Sequence, residues 1–213
     1  MVRRGAATYF ASFMEVIPEP EMKEIFLPQF GVMLKDEQHS VKIKIIESTP
    51  ALGKLMKKAD FFANLIPFLK QGASDSKSWR LRFVVADATG SAAFLMGPQD
   101  KETISKEMIP IIEQLLADSE AEVRSEAITQ LPKVLRHADI ELVGTKLFTL
   151  ISDKIAKDSS QHVRGALAHS ICAIGSFIGE HLCSKHVVPI IETILKNQEE
   201  ELEVKLSLLS HVG

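Results

Sequence analysis

Side chains that bind metals lie close together at one place in the sequence, at His181, Cys183 and His186. A structural zinc site takes four ligands, and this cluster supplies three. The two histidines are five residues apart, a spacing that does not align them on one face of a helix. We therefore predict no metal site and no cofactor, and we interpret these residues as a helix start and its surface.

Motifs of nucleotide binding and hydrolysis are missing from the sequence. There is no P-loop, no Gly-x-Ser-x-Gly and no His-Glu-x-x-His. No convergent set of acid, base and nucleophile can be assembled from the other residues. The sequence therefore predicts a protein that is not an enzyme.

The composition is that of a globular protein with enough apolar material for a core. Of the 213 residues, 46% are hydrophobic and 25% are charged, and no apolar run is long enough to cross a bilayer. The net charge of −3 lacks the basic excess of proteins that bind nucleic acid. Cys172 and Cys183 lie in apolar helical stretches and favour a reducing compartment. We predict a protein of the cytoplasm, with the nucleus as the alternative, that binds neither nucleic acid nor membrane.

A hydrophobic residue followed by a basic one recurs along the chain. The successive intervals are 39, 38, 44, 40 and 41 residues. The pairs are Val2-Arg3, Val41-Lys42, Trp79-Arg80, Val123-Arg124, Val163-Arg164 and Val204-Lys205. A period near 40 residues, without any strand signal, predicts stacked helical hairpins.

A proline precedes most of these pairs, and an Asp or Asn follows the proline after eight residues. These residues are Pro28 with Asp36, Pro67 with Asp75, Pro110 with Asp118, and Pro189 with Asn197. Leu150 stands where the proline would be in the unit that contains Asp158. The apolar positions two and six residues after the proline share one helical face; they are Phe30 with Leu34, Ile112 with Leu116, and Ile191 with Leu195. We expect the proline to kink the first helix of a unit and the Asp to cap the second.

The patterns together predict an all-α superhelix of about five to six helical hairpins. The predicted helices are 2–17, 20–34, 38–57, 60–72, 77–95, 100–117, 120–136, 139–157, 160–178, 181–197 and 200–212. The predicted repeat units are approximately 1–17 (second helix only), 18–58, 59–96, 97–137, 138–179 and 180–213. Because both end units are incomplete, we expect an excerpt of a longer array whose apolar end faces self-associate.

Two helices per unit, a proline in the first and Asp before Val-Arg in the second are typical of HEAT repeats. Several further runs go beyond this pattern, at 2–7, 35–42, 77–87, 119–124 and 161–168. In their order and spacing these runs resemble the scaffold subunit (the A-type, 65 kDa regulatory subunit) of the protein phosphatase 2A family. The resemblance covers nearly the whole chain, from the end of that family's fifth repeat into its tenth. The chain departs from the family at 61–64 and 91–94, so we identify it as a divergent member.

The resemblance implies a non-catalytic scaffold whose turns within repeats bind regulatory (B-type) subunits. It also implies that the phosphatase catalytic subunit binds through repeats that lie mostly outside this stretch. The matching turn positions are Arg3, Arg4, Asp36, Glu37, Gln38, His39, Ser78, Trp79, Arg80, Asp118, Glu120 and Gln161.

Some of these residues also have a purely structural interpretation. The repeated basic residues either form a ladder with the aspartates of adjacent turns or contact a partner; they are Arg3, Lys42, Arg80, Arg124, Arg164 and Lys205. Trp79 stands where the other units have Val, so it either fills a gap or anchors an interface. Arg4 has no basic counterpart in the other units, which leaves its charge for an acidic partner.

Two other function classes remain as alternatives, a HEAT-repeat nuclear transport receptor and another HEAT interaction scaffold. The mixed charges on the second helices argue against a receptor that grips basic cargo. The net negative charge argues against a scaffold that binds DNA or ribosomes.

Overall fold

The protein is described here by a computed structural model that covers residues 1–18, 21–197, 200 and 202–209. Helices form most of the described chain, and no strand occurs within those residues. They pair into hairpins that stack side by side around one continuous core. The predicted all-α helical-repeat fold is therefore confirmed.

The second helices of successive units form one layer of the stack. They are α1 (Val2–Met14), α3 (His39–Glu47) with α4 (Thr49–Leu55), α6 (Trp79–Met96), α8 (Ala121–Leu135), α10 (Gln161–Gly175) and α12 (Leu202–Leu209). The first helices form the other layer. They are α2 (Leu27–Leu34), α5 (Lys58–Ala73), α7 (Ile109–Leu116), α9 (Ile140–Asp153) and α11 (Val188–Lys196). The second helices contact one another far more extensively than the first helices do, so their layer is the inner, concave side.

Three first helices contain a π-helical segment that ends two residues before a proline. The segments are Met22–Phe26, Ile104–Met108 and Cys183–Val187. Pro28, Pro110 and Pro189 are each the second residue of the α-helix that follows. Proline lacks an N–H and crowds the preceding turn, and a π turn widens the helix by one residue there. The expected kink is thus a local widening at these three sites, whereas Pro67 lies inside the uninterrupted helix α5.

The helix predicted over 38–57 is broken in the structure, and this prediction is wrong in that respect. Helix α3 ends at Glu47 and α4 begins at Thr49. Pro50 has no N–H to donate to the carbonyl of Ile46, four residues earlier. The Thr49 hydroxyl donates to that carbonyl instead, at 2.6 Å. The carbonyl of Ile46 is therefore still hydrogen-bonded, although the helix is broken at this point.

The prediction of which side chains are buried in the first helices is correct for α2 and α7 and wrong for α11. Phe30 and Leu34 are fully buried, whereas Leu195 is 37% exposed. In α11 the buried side chains are Ile190 and Ile194, one residue earlier. In α7, which has a first helix on each side, both sets of positions are buried. The predicted positions face the following unit, and no described element packs on that side of α11.

Candidate partner-binding ridge

The turn between the two helices of each unit is closed by its aspartate. One carboxylate oxygen accepts the backbone N–H of the residue two positions on, at 2.8 to 2.9 Å. The aspartates are Asp36, Asp75, Asp118 and Asp158. The helix N-cap is a later residue in each unit, so the prediction that the aspartates themselves are the caps is wrong. At Ser78 the side chain does cap the helix, because its hydroxyl accepts the N–H of Leu81 at 3.2 Å.

A ladder of ion pairs joins each turn to the next. The arginine Nε atom lies 2.5 to 2.8 Å from a carboxylate oxygen of the following unit. The pairs are Arg3 with Asp36, Arg82 with Asp118, Arg124 with Asp158, and Arg164 with Glu200. Each of these acidic side chains is at most 8% exposed. Charge-assisted bonds of this kind are short and strong. The pairs made by Arg82, Arg124 and Arg164 are shielded from water, whereas Arg3 is 61% exposed.

Three of these arginines also bind the turn of their own unit. Nη1 of Arg82 donates to the carbonyl of Asp75 at 2.8 Å, and Nη1 of Arg124 donates to that of Asp118 at 2.8 Å. Arg164 makes the same bond to the carbonyl of Asp158 at 2.7 Å. One guanidinium therefore fixes two consecutive turns relative to each other. We call the resulting row of turns, at 35–39, 74–80, 117–121 and 157–161, the turn ridge.

The sequence placed Arg80 in the ladder, and this prediction is wrong. Arg82 occupies the ladder position, and Leu81, which is 1% exposed, takes the core position that is Val in other units. The turn that begins at Asp75 has one residue more than the others, which moves the helix start. The uneven intervals of 38 and 44 residues were the sign of this shift, since Arg82 would give 40 and 42.

The shift also changes the interpretation of Trp79, which does not replace a core valine. Trp79 begins helix α6, and its ring packs only partly against the core. Cζ of Arg80 lies 4.5 Å above the centroid of that ring. Arg80 is exposed and takes no part in the ladder. The two side chains therefore present a stacked cation and aromatic ring on the turn ridge.

The lysines predicted for the ladder are also outside it. Lys42 has no ion pair among the described residues, and Nε2 of His39 lies 3.1 Å from Oδ2 of Asp75 in its place. Lys205 donates to the carbonyl of Asn197 at 2.6 Å. His39 is the first residue of α3, three residues before Lys42, so its side chain lies beside the turn and reaches Asp75 of the next unit.

Acidification is expected to lower the free energy of unfolding through the ladder aspartates. Burial raises the pKa of Asp118, but the hydrogen bonds from Arg82 and the N–H of Glu120 outweigh it and hold the pKa below its ordinary value. The pKa of Asp158 is held low in the same way, by Arg124 and the N–H of Ser160. A carboxyl that is more acidic in the folded state stabilises it above the unfolded pKa, and this contribution disappears as the pH falls through the folded pKa.

Denaturant unfolding at pH values from about 6 down to about 3 measures this loss. In the Asp118→Asn variant the free energy of unfolding should fall less steeply with falling pH, in the acid limb of the stability curve. Asp153→Asn, at an exposed carboxylate, should leave this fall as it is in the parent protein. An acid limb that is identical in all three proteins would contradict the role given to the ladder.

The other residues of the predicted site are spread along the ridge with different exposures. Arg4 and Glu37 are exposed, and Gln38 and Glu120 are N-cap residues of the second helices. Gln161 begins α10 and borders a separate groove on the concave side, with Glu126 and His162. Asp36 and Asp118 are committed to the ladder. Partner contact by these residues stays a prediction.

A cleft of about 460 Å³ separates two successive turns of the ridge. It lies between the turn at 73–79 and the turn at 117–120, and Trp79 and Arg82 border it. Its remaining lining is mostly polar, with Ser74, Lys77, Gln114 and Glu120. Arg82 and Asp118 both line the cleft, and their ion pair joins its two walls.

A polar cluster on the concave side was not predicted from the sequence. Nε2 of Gln130, a residue only 5% exposed, donates to Asp87 at 3.1 Å and to Glu126 at 2.6 Å. Burial, and then the charge of Asp87, raise the pKa of Glu126. Gly90 makes room for this amide, since a Cβ there would lie 2.4 Å from its oxygen. The cluster joins α6 and α8, and its residues are not part of the sequence pattern that recurs in each unit.

The residues that the sequence grouped as metal ligands have separate surroundings. His186 stacks on Phe148 with ring centroids 4.9 Å apart, and Sγ of Cys183 lies 3.5 Å from where a Cβ at Gly175 would stand. In the described part of the chain, no group of three or more His, Cys, Asp or Glu side chains is arranged to hold a metal ion. Within that same part, no helix has the length and apolar character needed to cross a membrane.

Part of the repeat array matches a known repeat family. Residues 101–179 match the PPP2R1A-like HEAT repeat. The predicted resemblance is confirmed by two relatives as well. The chain is 32% identical over 121 residues to the human beta isoform of the 65 kDa regulatory (A-type) subunit of serine/threonine-protein phosphatase 2A. It is 33% identical over 99 residues to the Schizosaccharomyces pombe regulatory (A-type) subunit of protein phosphatase PP2A.

These alignments cover only parts of each protein. They include 55% and 46% of this chain, and 19% and 17% of the two relatives. Solved structures show the HEAT-type fold over a longer stretch. A designed armadillo repeat protein in complex with the peptide (KR)4 aligns with 98% of this chain, and 89% of its own, at a TM-score of 0.66 and 16% identity. Another designed armadillo repeat protein, also 16% identical, aligns at a TM-score of 0.61, over 99% of this chain and 93% of its own.

Proposed function

We propose that this chain is a scaffold that binds a regulatory (B-type) subunit of a protein phosphatase 2A holoenzyme through its turn ridge. The likeness to the two phosphatase 2A relatives supports the class of partner. The observation that carries the proposal is the stacked pair of Trp79 and Arg80 beside the cleft between two turns. An aromatic ring next to an arginine on a rigid frame is typical of interface hot spots.

The ladder supports the proposal because it makes the ridge rigid before any partner binds. Turns that are already fixed lose little conformational freedom on association, which favours affinity. Glu37 on the ridge and Arg4, which follows the ladder residue Arg3, add exposed charges of opposite sign. We propose that these charges align the partner and that Trp79 supplies the buried contact.

Affinity purification from an extract of the source organism tests the proposal. The chain carries a tag and is compared with Trp79→Ala and with Leu142→Ala, a change at an apolar side chain that is 67% exposed and lies off the ridge. Recovery of a phosphatase 2A regulatory subunit with the parent protein and Leu142→Ala, and its loss with Trp79→Ala, is the expected result. Recovery of transport factors instead, or equal recovery with both variants, would contradict the proposal.

A further inference from the structure

A second groove opens at the opposite ends of the second helices, away from the turn ridge. It has a volume of about 370 Å³. Its walls come from three successive units, with Lys54 on α4, Phe94 on α6 and Lys133 on α8. The groove therefore runs across the concave layer and shares no lining residue with the cleft at Trp79.

An exposed aromatic side chain stands in this groove. Phe94 is 64% exposed, whereas Trp79 and Phe83 on the same helix are half-buried. Leu95 and Pro132 continue the apolar surface on either side of it. The ring of His137 lies beside that of Phe94, with centroids 6.3 Å apart, and packs against one side of it. An exposed large ring on a rigid support is a candidate contact for another molecule.

The rim of this apolar surface is positively charged. Lys54, Lys133 and Arg136 line it, and no carboxylate does so among the described residues. None of the three cations has an ion pair within the described part of the chain. Cζ of Arg136 lies 4.7 Å over the ring of Phe177, which holds the guanidinium in place without neutralising it. The charge of Lys133 also reaches Glu126, where it opposes the rise in the pKa of that carboxyl.

The dimensions favour an extended peptide segment. Neighbouring packed helices lie about 10 Å apart, so a groove that crosses three of them is about 20 Å long. An extended chain rises about 3.3 Å per residue, which gives about six residues in the groove. Charge complementarity requires acidic residues in that segment, and the exposed ring requires an apolar side chain at its centre.

We propose that this groove binds a short acidic segment of a partner protein that carries an aromatic or large aliphatic side chain. The apolar side chain packs on Phe94 and Leu95, and the flanking carboxylates pair with Lys54, Lys133 and Arg136. This site is independent of the turn ridge and adds a contact on the concave side. The groove recognises the segment by its negative charge and by its one aromatic or large aliphatic side chain.

Fluorescence anisotropy with a model peptide tests this site. The probe is a fluorescein-labelled peptide with one phenylalanine between two glutamates on each side, added to the full chain at low salt. We expect saturable binding that Phe94→Ala weakens by about tenfold. Lys54→Glu with Lys133→Glu should weaken it more, and added salt should weaken the parent's binding. Control variants are Phe13→Ala, at a ring that is 54% exposed, and Lys146→Glu, both outside the groove.

The control variants should bind within about twofold of the parent, and far-ultraviolet circular dichroism should show that all variants are folded. A peptide with lysines in place of the glutamates, or alanine in place of the phenylalanine, should bind at least about tenfold more weakly. Equal binding by Phe94→Ala and the parent would overturn the proposal, as would no binding by the parent. Binding of anionic lipid vesicles without binding of the peptide would also overturn it. None of these results bears on the turn ridge, because the two surfaces share no residue.

Discussion

Arg82→Ala is expected to lower the free energy of unfolding by about 3 kcal/mol, because it leaves a buried carboxylate without its partner. The side chain of Asp118 is only 6% exposed, and two of its bonds come from Arg82, at 2.5 and 2.9 Å. The same change also frees the carbonyl of Asp75. Denaturant unfolding followed by circular dichroism measures the loss.

Arg80→Ala is the matched control for this prediction. It removes the same charge from the same helix two residues earlier, where the guanidinium is exposed and stacks on Trp79. An exposed cation–π contact contributes about 0.5 kcal/mol, so this variant should unfold almost as the parent does. A double variant, Arg82→Met with Asp118→Leu, should recover most of the lost stability because no buried charge is left unpaired. Equal losses for Arg80→Ala and Arg82→Ala would show that the ladder has been assigned to the wrong residue.

Trp79→Ala is expected to weaken binding of a purified phosphatase 2A regulatory subunit by roughly 30-fold, the effect of losing one hot-spot side chain. The indole borders the cleft between two turns, and its loss removes both apolar area and the surface on which Arg80 stacks. Arg80→Glu should also weaken binding, and this effect should shrink as salt is added. Surface plasmon resonance on the immobilised chain measures both affinities.

The stability of the Trp79→Ala variant must be compared with that of the parent, since its ring packs partly on the core. Leu142→Ala, at a side chain that is 67% exposed on α9, should match the parent in its affinity for the regulatory subunit. If Trp79→Ala and Leu142→Ala bind alike, the hot spot lies elsewhere on the chain.

The repeat period and the helical faces predicted the fold because every unit must bury the same positions against its neighbours. Val41, Val123 and Val163 are fully buried as that argument requires. The prediction failed where local chemistry changed the pattern. Pro50 broke one predicted helix, and different residues of α11 are buried because no described helix packs on one of its sides.

The candidate site was harder to predict because it depends on the length of one turn. The ladder arginine follows its aspartate by six residues at Asp118 and Asp158 but by seven at Asp75, so the ladder residue is Arg82 and not Arg80. Trp79 therefore begins the helix at the turn and does not take the core position of a valine. The groove at Phe94 depends on side chains from three units that have no common spacing. Spacing along one chain cannot indicate which side chains of separate repeats meet, and the packing of the layers decides it.

Hydrogen–deuterium exchange in the presence of a purified phosphatase 2A regulatory subunit tests the central claim most directly. We predict slower exchange at the backbone amides of the turns at 74–80 and 117–121, and unchanged exchange at the opposite loops at 97–100 and 136–139. Protection of those opposite loops alone, or no protection anywhere when the regulatory subunit is saturating, would contradict the turn ridge as the binding surface.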